Sequence, residues 1–233
     1  MILIFKTLFN PVSAFNEIKR ENKFPVMAFV ILLLLTVVNL ILMVPVTAKV
    51  TAITMSTMPM PEAQLDATLV MMHKLRYLMV IGGVFSTVIM LFICALIFYI
   101  ITVVAKPAIS YIKAFSLIVY GYFAALIGDF VNTGILYMRG LDKITNPFEL
   151  MFTGLNVFTS VEDAGAAIYM LLCLINPFQI WFVILLSVGL KVFVDIKYFK
   201  ALILCIIFWL ITIIYPIASA ALAEMTMNKV GIM

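Results

Sequence analysis

Ser110-Tyr111-Ile112-Lys113-Ala114-Phe115 and Lys197-Tyr198-Phe199-Lys200-Ala201-Leu202 are two versions of one phrase. Each runs small-or-basic, Tyr, bulky apolar, Lys, Ala, bulky apolar. Each follows an apolar stretch and a short basic loop, and each opens another long apolar run. The phrase reads as the turn of a helical hairpin, used twice on the cytoplasmic face of a membrane. That reading decides the architecture and carries no chemistry.

Composition says why the surroundings must be lipid. Of 233 residues 66% are apolar and 11% charged, and mean hydropathy is +1.24. A water-facing surface could not be covered from so few polar side chains. No window is polar enough for a separate soluble domain. The net charge of +4 is too small and dispersed to suggest nucleic acid.

Spans are expected where about 20 apolar residues can cross a hydrocarbon core of about 30 Å. Working outward from the turns, they fall at about 25–44, 77–104, 114–138, 178–194 and 201–222. Pro45 is expected to close the first. A helical pattern (Leu65, Leu69, Met72, Leu75) resumes after Pro59 and Pro61 and runs into the second, which Lys106-Pro107 breaks. After the loop Arg139–Lys143, Asn146-Pro147 marks a new helix start. Residues 166–175 are apolar but too short to span before Asn176-Pro177 resets the helix, so a re-entrant or interfacial helix is expected there. A short polar tail ends the chain. The expected fold is all-α, with residues 1–24 as an interfacial helix and 25–233 as a five-span membrane domain.

In residues 1–24, Asn10-Pro11 is a capping start. Val12, Ala14, Phe15 and Ile18 form an apolar face opposite Asn16, Glu17, Lys19, Arg20 and Asn22. Two readings stand: a helix lying in the headgroup region, or one packed on the protein's own bundle. No cleavable signal peptide is expected, because residues 1–9 lack a basic lead and a small-residue cleavage site.

Five spans put the ends on opposite sides. With the N-terminus inside, Lys6, Lys19, Arg20, Lys23, Lys106, Lys113, Lys191, Lys197 and Lys200 face the cytoplasm. Lys49, Lys74, Arg76, Arg139, Lys143 and Lys229 face the other side. The bias favours a cytoplasmic N-terminus and an outer C-terminus in the cytoplasmic membrane. The twin turns then belong to a parallel internal repeat of two hairpins. Lys113 and Lys200 either anchor helix ends by snorkelling or, with Lys19 and Arg20, offer a basic surface to anionic headgroups or a partner.

At four places the chain resembles the Ypt-interacting protein (Yip) family of five-span membrane proteins, in its bacterial or archaeal form. These are Leu8-Phe9-Asn10-Pro11-Val12-Ser13-Ala14-Phe15 before the first span, and Ile112-Lys113-Ala114-Phe115 with Tyr120-Gly121-Tyr122-Phe123 in the third. The others are Asn176-Pro177-Phe178-Gln179-Ile180-Trp181 with Val188-Gly189-Leu190 in the fourth, and Tyr198-Phe199-Lys200-Ala201 opening the fifth. The proline often found after the third-span aromatic pair is absent. The resemblance implies five spans, a cytoplasmic N-terminus and a non-enzymatic role. Eukaryotic members resemble scaffolds for Rab-type GTPases, but their long N-terminal region has no counterpart in the roughly 24 residues before the first span. Some prokaryotic relatives resemble accessory subunits of export systems, so an adaptor in an export or stress-resistance complex is the expected role.

Asp129 is the one acid inside an expected span, sharing a helical face with Tyr122, Asn132 and Thr133. An ionisable group at membrane depth suggests a site, and a small transporter or lipid-handling protein with a polar cavity there is the alternative function. Yet Asp129 stands ~22 Å along its helix from Ala114, near an interface. It could instead pair with Arg139 or cap a break at Gly128. Asn39, Asn176 and Gln179 are expected to hydrogen-bond between helices. Glu162-Asp163 reads as a solvated turn. Cys94, Cys173 and Cys205 lie in apolar runs without metal spacing, and His73 is the only histidine. With no HExxH, GxSxG or phosphate-cradling loop, neither enzyme activity nor a cofactor is expected. The expected partners are membrane lipids and either a membrane protein or a second copy.

Overall fold

The computed structural model describes residues 2–21, 25–56, 62–106, 108–146, 148 and 150–230. Asn22, Lys23, the breaks expected at Pro59, Pro61 and Pro107, and Pro147 itself lie outside the described residues. So do the side chains of Leu65, Leu69, Met72, His73, Arg76 and Lys229. The helix start expected at Asn146-Pro147 is not found among the described residues from 144 to 154.

Among the described residues the chain is helical, with no strand. The helices are α1 (Ile2–Phe9), α2 (Pro11–Glu21), α3 (Val26–Ser56), α4 (Glu62–Val104), α5 (Tyr111–Arg139), α6 (Val161–Ala164), α7 (Ala166–Leu174), α8 (Pro177–Val194) and α9 (Tyr198–Val230). Five of them, α3, α4, α5, α8 and α9, are long and apolar enough to cross a membrane. Residues 1–24 do not make one helix: Asn10 separates α1 from α2, and its Oδ1 accepts from the Ser13 N–H at 3.4 Å. Pro11 takes the first helical position, where its missing donor costs nothing.

Pro45 does not end the first span. It sits inside α3, which runs on to Ser56. Proline in a membrane helix is tolerated when neighbours satisfy the disturbed backbone, and the Tyr137 hydroxyl donates to the Leu42 carbonyl at 2.7 Å, beside the disturbed turn. The polar tail expected after residue 222 is likewise helical, as α9 continues to Val230. α4 does continue from Glu62 into the second span as expected, and α7 has nine residues, too few to cross.

The chain forms two compact units, each built from three separate segments. The first comprises residues 1–36, 85–128 and 177–213. Its core is α5, buried on nearly every side from Ala114 to Leu126, as a helix apolar all round should be. α8 approaches it at small residues: a Cβ on Gly189 would strike Leu117 and the Phe15 ring, and one on Gly128 would stand 2.7 Å from Phe178. In lipid, where burial itself drives little, such close backbone approach supplies the packing. Phe29, Phe92 and Phe115 form an aromatic cluster, with Phe92 and Phe115 stacked at 4.8 Å. Ala14, Phe15 and Ile18 of α2 are buried in this unit, with Phe15 edge-on to Phe193 of α8. These three side chains of the expected apolar face pack on the protein's own bundle. Phe5, Phe9 and Val12 remain exposed.

The second unit comprises residues 37–84, 129–176 and 214–233. Val46, Leu136 and Ile144 make one small core, and Val161, Ala166, Tyr169, Cys173 and Ala220 another. The Glu224 carboxylate of α9 accepts from the Ala166 N–H at 3.1 Å, placing an anion at the positive end of α7.

Candidate functional site

In the first unit the two turn phrases are structurally equivalent. α5 and α9 both begin at the tyrosine, Tyr111 and Tyr198. The preceding carbonyls of Ser110 and Lys197 accept from the Ala114 and Ala201 N–H groups at 3.0 and 3.2 Å. Each hairpin leaves its incoming helix through a left-handed non-glycine residue, Lys106 (φ 61) and Asp195 (φ 52), a C-terminal arrangement that glycine or asparagine usually serves. The turns also touch, since the Lys200 ammonium donates to the Ala105 carbonyl at 3.4 Å.

Their side chains have diverged. Tyr111 faces inward, its hydroxyl donating to the Phe92 carbonyl at 3.2 Å and its ring against Tyr99 and Phe115. Phe199 of the second copy is 72% exposed, next to exposed Tyr198. Exposed Lys197 and Lys200 flank them.

Of the four basic residues singled out from the sequence, two serve internal ends. Lys19 donates to the Val192 carbonyl at 2.7 Å, satisfying an acceptor in the last turn of α8, and Lys200 reaches Ala105. Arg20 is exposed and Lys113 half-buried. Lys6 is neutralised locally by Glu17 at 2.7 Å.

The second unit holds most of the intramembrane polar set. Asn132 works like a piece of backbone: its Nδ2 donates to the Leu150 carbonyl and its Oδ1 accepts from the Phe152 N–H, both at 2.8 Å. Thr133 shares one hydroxyl proton between Asn39 Oδ1 at 3.0 Å and the Asp129 carbonyl at 2.8 Å. Asp129 is half-buried. It neither pairs with Arg139 nor caps a break, because α5 continues through Gly128 and the Arg139 guanidinium lies over the Phe152 ring, 4.2 Å from its centroid. Tyr122 belongs to the first unit and is half-buried there.

A cavity of about 210 Å³ opens in the second unit, lined by Arg139, Lys143, Asn146, Asn156, Thr159 and Tyr169 among others. Asp129 and Asn132 do not line it. Sequence reasoning missed this site because its residues are dispersed along an aperiodic stretch. The available hint was the pair of cations just past the third span.

Glu162 and Asp163 are exposed and Ser160 caps their short helix, as a solvated turn requires. Cys173 is buried, and burial pushes its thiol up to about 11. Among the described residues no group of three or more His, Cys, Asp or Glu could hold a metal ion.

A family model described as the Yip1 domain matches residues 5–220. No curated protein and no solved structure matches the chain.

Proposed function

The chain belongs to the Yip1-domain family, and on that footing we propose that this multi-pass membrane protein is a non-enzymatic adaptor or accessory subunit. It works by binding a membrane protein and anionic headgroups, with its N-terminus in the cytoplasm and its C-terminus outside. The observation that carries the reading is the second turn phrase. Tyr198 and Phe199 are exposed between Lys197 and Lys200, while in the first phrase Tyr111 is bonded into the fold and the smaller Ile112 stands 45% exposed. Aromatic side chains that fill no internal space, set among cations at a helix end, suit a partner's helix end and the headgroup layer around it.

The polar interior gives less support to a transport path through Asp129. Asn132 and Thr133 are committed to internal hydrogen bonds. Releasing a buried amide from its partners costs about 1–3 kcal/mol, a poor starting point for a group meant to bind substrate. The apolar outer surface suits an adaptor: α3 exposes Val30, Leu34, Val38 and Ile41, a face for lipid or another protein's spans.

Site-specific photo-cross-linking in cells tests the proposal. A photoreactive residue at Phe199 is expected to join one membrane protein of defined mass, and the same probe at buried Phe208 is not. Adducts with lipid alone from Phe199, and from exposed Leu34, would leave no adaptor.

A further inference from the structure

The cavity of the second unit has a composition that the adaptor reading does not use. Among the described residues that line it, the charged ones, Arg139 and Lys143, are both cations. Arg139 is the last residue of an apolar span, at the level where hydrocarbon gives way to headgroups. The Phe152 ring holds its guanidinium from one face at 4.2 Å, leaving the planar fork to offer paired N–H donors, the geometry that matches a phosphate. Lys143 is exposed and adds a second, flexible positive charge.

Asn156 supplies the complementary demand. It is 2% exposed and lines the cavity. Its Nδ2 donates to the Met151 carbonyl at 2.6 Å and to the Tyr169 hydroxyl oxygen at 2.9 Å. Those contacts fix the amide's orientation, because a flip would set Oδ1 against the Met151 carbonyl. Oδ1 is then a buried acceptor without a hydrogen-bond partner, a situation native structures rarely leave unexplained. An anion alone cannot satisfy it. A group carrying both a phosphate and a hydrogen-bond donor can.

We propose that this cavity binds a phospholipid headgroup of the phosphoethanolamine kind. Its phosphate sits between Arg139 and Lys143, and its ammonium donates to Asn156 Oδ1 once the side chains that cover that atom give way. The volume of about 210 Å³ is many times what a single ordered water needs, room for a headgroup and less than the pockets that take drug-sized molecules. Beside it, the short turn Leu155–Phe158 exposes Val157, itself a lining residue, and Phe158 at 85%. Apolar side chains at the rim suit the glycerol and acyl portion of a lipid. A soluble phosphate ester would leave them in water.

The test uses full-length protein, delipidated in detergent. It is titrated with phosphatidylethanolamine, phosphatidylcholine and soluble glycerophosphoethanolamine, with bound adducts read by native mass spectrometry and thermal unfolding. Phosphatidylethanolamine is expected to bind about tenfold more tightly than phosphatidylcholine, whose ammonium has no proton to donate, and the soluble headgroup is expected not to bind. Arg139→Gln and the exposed Lys143→Gln should each weaken phosphatidylethanolamine several-fold. Asn156→Ser should erase the preference between the two lipids. Equal affinity for the two lipids in the unsubstituted protein would overturn the donor assignment and the proposal with it. Binding of soluble glycerophosphoethanolamine as tightly as lipid would make the site one for a free phosphate ester. Lipid binding indifferent to Lys143→Gln and Arg139→Gln would leave the cavity to water.

Discussion

Asn132 and Asp129 stand three residues apart on α5 and have different work. Asn132 holds the chain at Leu150 and Phe152 with both ends of its amide. Asn132→Ala strands an acceptor and a donor, and should destabilise the protein by about 1–3 kcal/mol, seen as an earlier transition in detergent unfolding. Asp129→Asn keeps size and polarity and should stay within about 0.5 kcal/mol. Gly154 is the other sensitive point of this unit: a Cβ there would stand 2.6 and 2.7 Å from the Cys173 and Leu172 carbonyl oxygens. Backbone cannot step aside as a flexible side chain can, so Gly154→Ala should cost about 1–3 kcal/mol in the same melts. Cys173, its thiol raised by burial to about 11, should resist maleimide at neutral pH until the protein is unfolded. At this scale the sequence was half legible. Helical spacing picked out Asn132 and Thr133, but Asn132's partners lie 18 and 20 residues away in a stretch with no period to read, so only the fold could reveal them.

Among elements, the repeated turn was legible because it is local. A capping carbonyl, a tyrosine at the first helical position and an alanine that buries are all set within six residues, and both copies obey them. What the phrase could not tell was which copy's tyrosine would turn inward, since that depends on Phe29, Phe92 and Tyr99 packing on Tyr111 and Phe115. The left-handed residues are a common signature of both turns. A non-glycine residue in that region carries roughly 1–2 kcal/mol of strain, of which glycine's greater unfolded freedom takes back about 0.5–1. Lys106→Gly should therefore be neutral to stabilising by up to about 1 kcal/mol, and Lys106→Val should destabilise; paired thermal melts would show the ordering. Pro45 misled because in water it would end a helix, whereas α3 continues through it with Tyr137 bonded beside the break. α2 carries a different lesson: a pattern cannot say whether an apolar face meets lipid or protein, and here Ala14, Phe15 and Ile18 are buried while Val12 is exposed.

For the molecule as a whole, the five spans followed from the repeated turns and from the apolar length that a bilayer's thickness demands. The segment from Gly140 to Gly165 did not, as its short turns have neither a helical nor a strand period. The Yip1-domain match over residues 5–220 covers both. Proposed orientation makes a direct prediction: a cysteine replacing Lys197 should react with an impermeant maleimide only from the cytoplasmic side, and one replacing Thr159 only from the other. Labelling of both from one side would contradict the five-span arrangement.

The measurement closest to the central claim compares three versions of the tagged protein purified in mild detergent from its own cells. They are the unsubstituted chain, Arg20→Glu/Lys197→Glu on the basic face, and Asp129→Asn in the span. Arg20 and Lys197 are exposed, so their reversal should leave the fold intact, which a melt would verify. The adaptor account predicts a stoichiometric membrane-protein partner with the first and third and its loss with the second. A partner-free protein in all three, with only Asp129→Asn abolishing function in cells, would contradict it and return attention to the interior of the bundle.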